Sequence, residues 1–427
     1  MKTEVPIPLR KHGKYTIQKW DDYLDRVATR MEQNAPDNQY RNEFISHMRN
    51  YEKEHGKELS EAYNCYKNAI SCGFIEKWYE LIDEKELNCM LTRCKVMVIT
   101  ANPIEKAVLH SRVTSNGQNK KIIRIICGTN AYFIFKWGAY WVAHIHQPQT
   151  GSYKDLGMNT TVNEALKHFK PNVILSLGVA FGIDFESQNI GDVIVSKKLF
   201  PYSENKRDEE FIKPDRSQDK SIDSWLDVRF VNANGFLDGV TYGGVLSGGS
   251  VMSSFDEKDK VCNAYTKNDF VVGGEMEGSA LFQVSNNCDI PCAVIKGICD
   301  WGIAKNDIFP CDPIREETFK DSLQAVAMIN VVEKCFPLLN DKTIFSTSKT
   351  KSIDEEKKKN KRLFACNLLT NIIVLFFGLG VLSVHRYSIE SVLYVGILLI
   401  VISIIGFVSL WLAVVKTETC IFKRKIT

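Results

Sequence analysis

The sequence predicts an α/β fold, a mixed sheet flanked by helices, preceded by an all-helical region and followed by a two-helix membrane hairpin. Three observations carry this. Between residues 94 and 336 short apolar runs rich in β-branched residues alternate with amphipathic stretches. Ahead of them, apolar residues recur at three- and four-residue spacing. Behind them lie two runs without formal charge, residues 363–384 and 392–415. Composition agrees: 427 residues, 44% hydrophobic, can bury a sizeable core, and 25% charged with 11% aromatic residues excludes a disordered, collagenous or small disulfide-bound chain.

Residues 1–92 are expected to form a helical domain. Ile17, Trp20, Tyr23, Leu24, Val27 and Met31 form one stripe, which breaks at Asn34-Ala35-Pro36-Asp37. Tyr40, Phe44, Ile45 and Met48 mark a second; Leu59, Tyr63, Ile70, Phe74, Trp78 and Leu81 mark a third, with a break at Cys72-Gly73. Such faces suit a core or a partner surface, and an upstream sensor is the partner expected there.

Residues 93–340 are expected to form the α/β domain. KVMVIT reads as its first strand, KIIRIICG and YFIFKWGAYWVAHI as two more, and NVILSLGVAFG and DVIVSKKLF follow. TTVNEALKHF supplies a helix ahead of Lys170-Pro171. GGVLSGGSVM and DFVVGGEME are further strands, SALFQVSNN a helix, CAVIKGICD a strand, and FKDSLQAVAMINVVEKCF a closing helix. The segment from Tyr202 to Lys220, dense in both charges, reads as a solvated loop or a lid over the site.

Residues 341–362 are rich in Lys, Ser, Thr and Asp and read as a basic linker. The first uncharged run holds 22 residues, long enough as a helix for about 33 Å, one bilayer core. Lys357, Lys358, Lys359, Lys361 and Arg362 precede it, and Lys416, Lys423, Arg424 and Lys425 lie in the tail, residues 416–427. This bias predicts a membrane protein with two spans, 363–384 and 392–415, both termini and the head on the cytoplasmic side, and membrane lipid as a partner.

Charge and cysteine usage narrow the function. With 54 Lys+Arg against 51 Asp+Glu, net +3, nucleic acid is not the expected partner. Thirteen cysteines without a Cys-x-x-Cys pair, behind a start that lacks a signal-peptide run, read as reduced thiols. Cys288 and Cys292 lack a second ligand pair, so no metal is expected. His144 and His146 should share one strand face, where a structural role outweighs a metal or phosphate role.

In sheets of this kind the site lies beyond strand ends. Four ends carry unusual chemistry: Thr100-Ala101-Asn102-Pro103-Ile104-Glu105, Gly178-Val179-Ala180-Phe181-Gly182, Gly273-Gly274-Glu275-Met276-Glu277-Gly278 and Gly297-Ile298-Cys299-Asp300-Trp301. With the IGDVIVS strand, and in this order, they resemble the purine nucleoside phosphorylase and nucleosidase superfamily. The chain looks most like the methylthioadenosine and S-adenosylhomocysteine nucleosidases over about residues 94–336.

The resemblance implies a nucleoside phosphorylase-like sheet, a purine nucleoside or nucleotide substrate, cleavage of its N-glycosidic bond without a cofactor, and at least a dimer. It makes Asp300 the acid at purine N7, and a carboxyl at the mouth of an apolar strand is a candidate for a raised pKa. An Asp here is also a natural helix cap. Glu105 becomes the base for water, and Glu277, Met276 and Glu275 hold the ribose. Gly178, Ala180 and Phe181 let backbone approach the ligand, and Val251 lies where related nucleosidases carry a stacking aromatic. Asn102-Pro103-Ile104 departs from their usual extra acidic residues. Lys106 and His110 leave a phosphate site open, so a phosphorylase stays an alternative, as does a non-catalytic purine-nucleotide sensor. Fusion to a helical front and membrane hairpin resembles bacterial antiphage effectors.

Overall fold

The computed structural model describes residues 37–71, 76–78, 84–115, 122–127, 130–147, 157–202, 206–207, 212–213, 217, 219–233, 235–249, 255–266, 269–303, 307–355, 358 and 361. The expected hairpin, residues 363–415, the tail and the stripe from Ile17 to Met31 lie outside them. The chain forms two compact units, Met1–Lys349 and Thr350–Thr427; the first contains the sheet.

In chain order the first unit contains α1 (Asp37–Ser71), β1 (Glu76–Trp78), α2 (Glu84–Arg93), β2 (Cys94–Thr100), α3 (Pro103–Ser115), β3 (Ile122–Cys127), β4 (Asn130–Trp137), β5 (Tyr140–His146), α4 (Met158–His168), β6 (Val173–Phe181) and β7 (Val193–Pro201). The short strands β8 (Lys206–Arg207), β9 (Ile212–Lys213) and β10 (Lys220–Ser221) come next, within the charged segment and at its end. Then follow α5 (Ser224–Asn232), β11 (Val240–Ser247), α6 (Phe255–Thr266), β12 (Val271–Glu275), α7 (Gly278–Cys288), β13 (Cys292–Asp300) and α8 (Pro313–Asn340). The expected mixed α/β sheet is present.

The sheet runs β1-β3-β4-β5-β2-β6-β12-β11-β7-β10. β13 lies parallel to β6 and antiparallel to β7, so β6, β12, β11, β7 and β13 close a ring. β5, β2, β6 and β13 are mutually parallel neighbours, which sets their carboxyl ends along one edge. Alternation along β2 explains the layering: Val96 and Val98 join the core under α1, α3 and α8, whereas Met97 and Ile99 join the core under α4 and α7.

Two boundaries differ from the sequence reading. YFIFKWGAYWVAHI is two antiparallel strands, β4 and β5, because Gly138 takes φ 60° and turns the chain. The second and third stripes share one helix, α1, which ends at Ser71, and Trp78 belongs to strand β1.

Helix α1 buries Phe44, Met48, Leu59, Ala62, Tyr66 and Ala69 in the same core as α3 and α8. Arg49 Nε donates to the Ile308 carbonyl at 2.9 Å, and Arg315 meets Glu52 at 2.6 Å. Among the described residues α8 is the one helix long and apolar enough to cross a membrane, but 78% of its apolar window is buried within the protein. Its apolar residues are those of a core helix.

Candidate active site

At the carboxyl edge, β2, β6, β12 and β13 surround an open cleft. Glu105, Ala180, Phe181, Glu275, Met276, Glu277 and Asp300 all line it, together with Asn102 and Gln324. Val251 lies outside the described residues. Gly178 sits behind the cleft wall, where a Cβ would collide with the Glu105 carboxylate and the Lys296 ammonium. Its bare α-carbon therefore admits a neighbouring side chain rather than the ligand expected from the sequence.

Glu105 stands in the first turn of α3. Its Oε2 accepts from the backbone N–H of Ala101 at 2.6 Å and of Asn102 at 3.1 Å, and its Oε1 accepts from Val179 N–H at 2.9 Å. The Asn102 side chain accepts in return from Glu105 N–H at 2.9 Å. This is a reciprocal helix cap with Pro103 at the first helical position, and the Asn-Pro-x-Glu spacing is its signal. The carboxylate is thus a structural cap and a cleft wall at once. Burial raises its pKa, and nearby Lys296 opposes part of that rise.

Glu275 ends β12 and turns its carboxylate onto the start of α7, accepting from Glu277 N–H at 2.9 Å and from Gly278 N–H. Burial raises its pKa as well. Glu277 follows at the N-cap of α7, buried, with Met276 between them at the cleft surface. Gly274 carries no Cβ because one there would enter the Phe181 ring.

Sequence reasoning missed Lys296. It occupies the middle of β13, 1% exposed, with Nζ 3.5 Å from Glu277 Oε2 and 4.0 Å from Glu275 Oε2. Burial pulls its pKa down, but Glu277, Glu105 and Glu275 outweigh that and hold it above the usual lysine value. Burial keeps Glu105 and Glu275 holding protons more readily than in water even beside this cation. The only signal in the sequence was a lysine inside an apolar strand. Gln324, which accepts from Asn102 Nδ2 at 3.3 Å, had none, since α8 reads as core.

Asp300 ends β13 and lines the same cleft. Its Oδ1 accepts from Gly302 N–H at 2.7 Å and its Oδ2 from Cys299 Sγ at 3.4 Å. No helix begins at Asp300; α8 starts at Pro313 with Asp312 as its cap, so the capping role foreseen for Asp300 falls to Asp312. Trp301 anchors the acid's strand end, packed edge-on against Phe44 and Phe185.

The two histidines do share a face. His144 Nε2 lies 2.9 Å and His146 Nδ1 3.4 Å from Thr100 Oγ1, and His144 Nδ1 lies 2.9 Å from His110 Nε2. His110 and His144 are fully buried, and burial holds both well below the usual histidine pKa. His110 is buried and is not among the described residues that line the cleft.

Residues 95–335 match the Phosphorylase superfamily. The Death domain-containing ATP nucleosidase of Amphimedon queenslandica is 25% identical over 249 residues, covering 52% of this chain and 46% of that protein. The chain thus spans about half the length of this relative. A 5′-methylthioadenosine/S-adenosylhomocysteine nucleosidase from S. pneumoniae, solved with a transition-state inhibitor, aligns with TM-score 0.46 at 18% identity, over 57% of this chain and 98% of that one. The nucleosidase from Colwellia psychrerythraea 34H, solved with adenine, aligns with TM-score 0.46 at 16% identity, over 58% and 96%.

Proposed function

The chain belongs to the phosphorylase superfamily, and from that premise we propose that it is a purine nucleosidase, hydrolysing the N-glycosidic bond of a purine nucleoside or nucleotide. The observation that carries this reading is Glu105, a buried carboxylate held by three backbone N–H groups on the wall of a cleft that a second carboxylate, Asp300, also lines. A carboxylate wall favours water over phosphate as nucleophile, because phosphate would meet like charge where it must attack.

In this reading the ribose lies on Met276 with its hydroxyls on Glu277, and the purine lies toward Phe181 and Asp300. Asp300 gives its proton to N7 as the C1′–N9 bond breaks, and the electron pair of that bond stays with the base. Positive charge grows on the sugar ring, and Glu277 and Glu105 stabilise it. Glu105, its pKa raised by burial, takes a proton from water as the oxygen bonds to C1′. Lys296 acts as a positioning residue, holding Glu277 and Glu105 in one cluster. The curated relative is named for ATP, which supports a nucleotide as the substrate class.

The same proposal includes a membrane anchor at 363–384 and 392–415, with the head cytoplasmic and the chain at least dimeric. It rests on the uncharged runs, their basic flanks and the resemblance. Alkaline carbonate extraction tests the anchor, which fails if the full chain leaves the membrane pellet.

The deciding experiment is release of free purine from adenosine, methylthioadenosine, AMP and ATP by the full chain, with and without phosphate. Release without phosphate, lost in Asp300→Asn, is the expected result. Strict phosphate dependence makes the protein a phosphorylase, and binding without release makes it a sensor.

A further inference from the structure

The described lining of the cleft offers no cationic side chain to an anionic tail. Its lining contains four carboxylates, Glu105, Glu275, Glu277 and Asp300, and no lysine, arginine or histidine among the described residues. A phosphorylated substrate must direct its charge out of this field.

Topology shows where. Along the carboxyl edge, Asp300 ends β13, Phe181 ends β6, Thr100 ends β2 and His146 ends β5, each strand parallel to the next. With the base at Asp300 and the sugar between Met276 and Glu105, the next position along this edge is β5, three strand spacings or about 14 Å from β13. There basic side chains gather, Lys106 and Arg124 beside a neutral His146 that can still donate a hydrogen bond. His146 and Thr100 are register partners, so His146 lies beside the strand end that leads into Ala101 and Asn102 on the cleft wall. Lys106, the residue after Glu105, has its Nζ 4.2 Å from the Phe133 ring centroid. Arg124 approaches the same ring at 5.8 Å. Burial first and Lys106 second hold His146 down to about 4. Lys106 and His146 are both only partly buried.

The geometry points to Lys106 and His146, at the carboxyl end of β5, as the subsite for the 5′ phosphates of a purine nucleotide, with Arg124 adding charge behind them. This assignment rests on the nucleosidase reading for the placement of base and sugar. It makes the substrate a 5′-phosphorylated purine nucleoside, with the phosphates leaving over β2 toward β5.

The test compares ATP with adenosine in the full chain carrying Lys106→Met, Lys106→Arg or His146→Ala. Because Lys106 adjoins Glu105, the ratio of the two substrates is read, which cancels any shared disturbance of the base. Lys106→Met should lower the ATP-to-adenosine ratio of kcat/KM about 10- to 100-fold, the worth of one charge-assisted hydrogen bond. Lys106→Arg should restore most of it. A ratio unchanged within about twofold (under a quarter of such a bond) in both Lys106→Met and His146→Ala overturns the subsite. Calorimetric binding of ATP and adenosine, in the Asp300→Asn background, gives the same ratio without turnover. Should the wild-type chain release no base, the nucleosidase reading fails, and the binding ratio still decides the subsite.

Discussion

Replacing Lys296 by Met removes a buried cation that is paired with Glu275 and Glu277 and acts on Glu105. At 3.5 Å from Glu277 and 4.0 Å from Glu275, each ionic contact is of order 4–5 kcal/mol at an effective dielectric near 20. The variant recovers the desolvation of the ammonium, so the net loss of stability should be about 3–5 kcal/mol, as for other buried pairs that lose one partner. The loss should also depend on pH. Burial already raises Glu105 and Glu275 above their unfolded values, and loss of Lys296 raises them further. A carboxyl raised in the folded state binds more protons there than in the unfolded chain, so its contribution worsens as pH rises between the two values. Urea unfolding of wild type and Lys296→Met should therefore differ more at about pH 8 than at about pH 5, and adding Glu277→Gln should recover part of the deficit. A loss under about 1 kcal/mol, the range of an exposed pair, or one equal at both pH values, would refute the assignment of Lys296 as the counter-charge of this cluster.

Glu105→Gln keeps an acceptor for the α3 cap but not a base, so base release should fall about 10²- to 10⁴-fold, measured by single-turnover hydrolysis. In the wild type the acid limb of the kcat/KM profile should lie above the ordinary glutamate range, because the base must be ionised and burial raises it. Gly178→Ala drives a methyl into Glu105 and Lys296; it should cost about 1–3 kcal/mol in chemical denaturation and lower kcat more than substrate affinity. Phe44→Ala removes a buried ring that packs against Phe185 and Trp301; it should cost about 3–5 kcal/mol and reduce turnover through the loosened Asp300 strand end.

Period-two and period-three-to-four patterns were enough to read an α/β sheet, and polar residues at the ends of apolar strands were enough to read most of the cleft. That works because a strand end is a local event: the chain must turn, and Glu105, Glu275 and Asp300 each bond a backbone N–H within three or four residues of themselves. The hairpin at Gly138 was harder to see, because a single glycine in a continuous apolar run marks a turn only when its φ is positive.

Residues whose role comes from distant neighbours were not legible. Lys296 reads as one charge in CAVIKGICD until β13 is set between β6 and β7, where its register partners are Gly178 and Ile194. The missing side chain at Gly178 then lets Glu105 from α3 approach it, and the turn after β12 brings Glu275 and Glu277. The sequence by itself therefore determined most of the long strands, the closing helix and the carboxylates at the strand ends, because hydrophobic period and turn chemistry act over a few residues. Which charges face one another, and which side chain the glycine admits, was decided only when strands far apart in the chain closed the sheet, since burial and Coulomb interaction depend on distance in space.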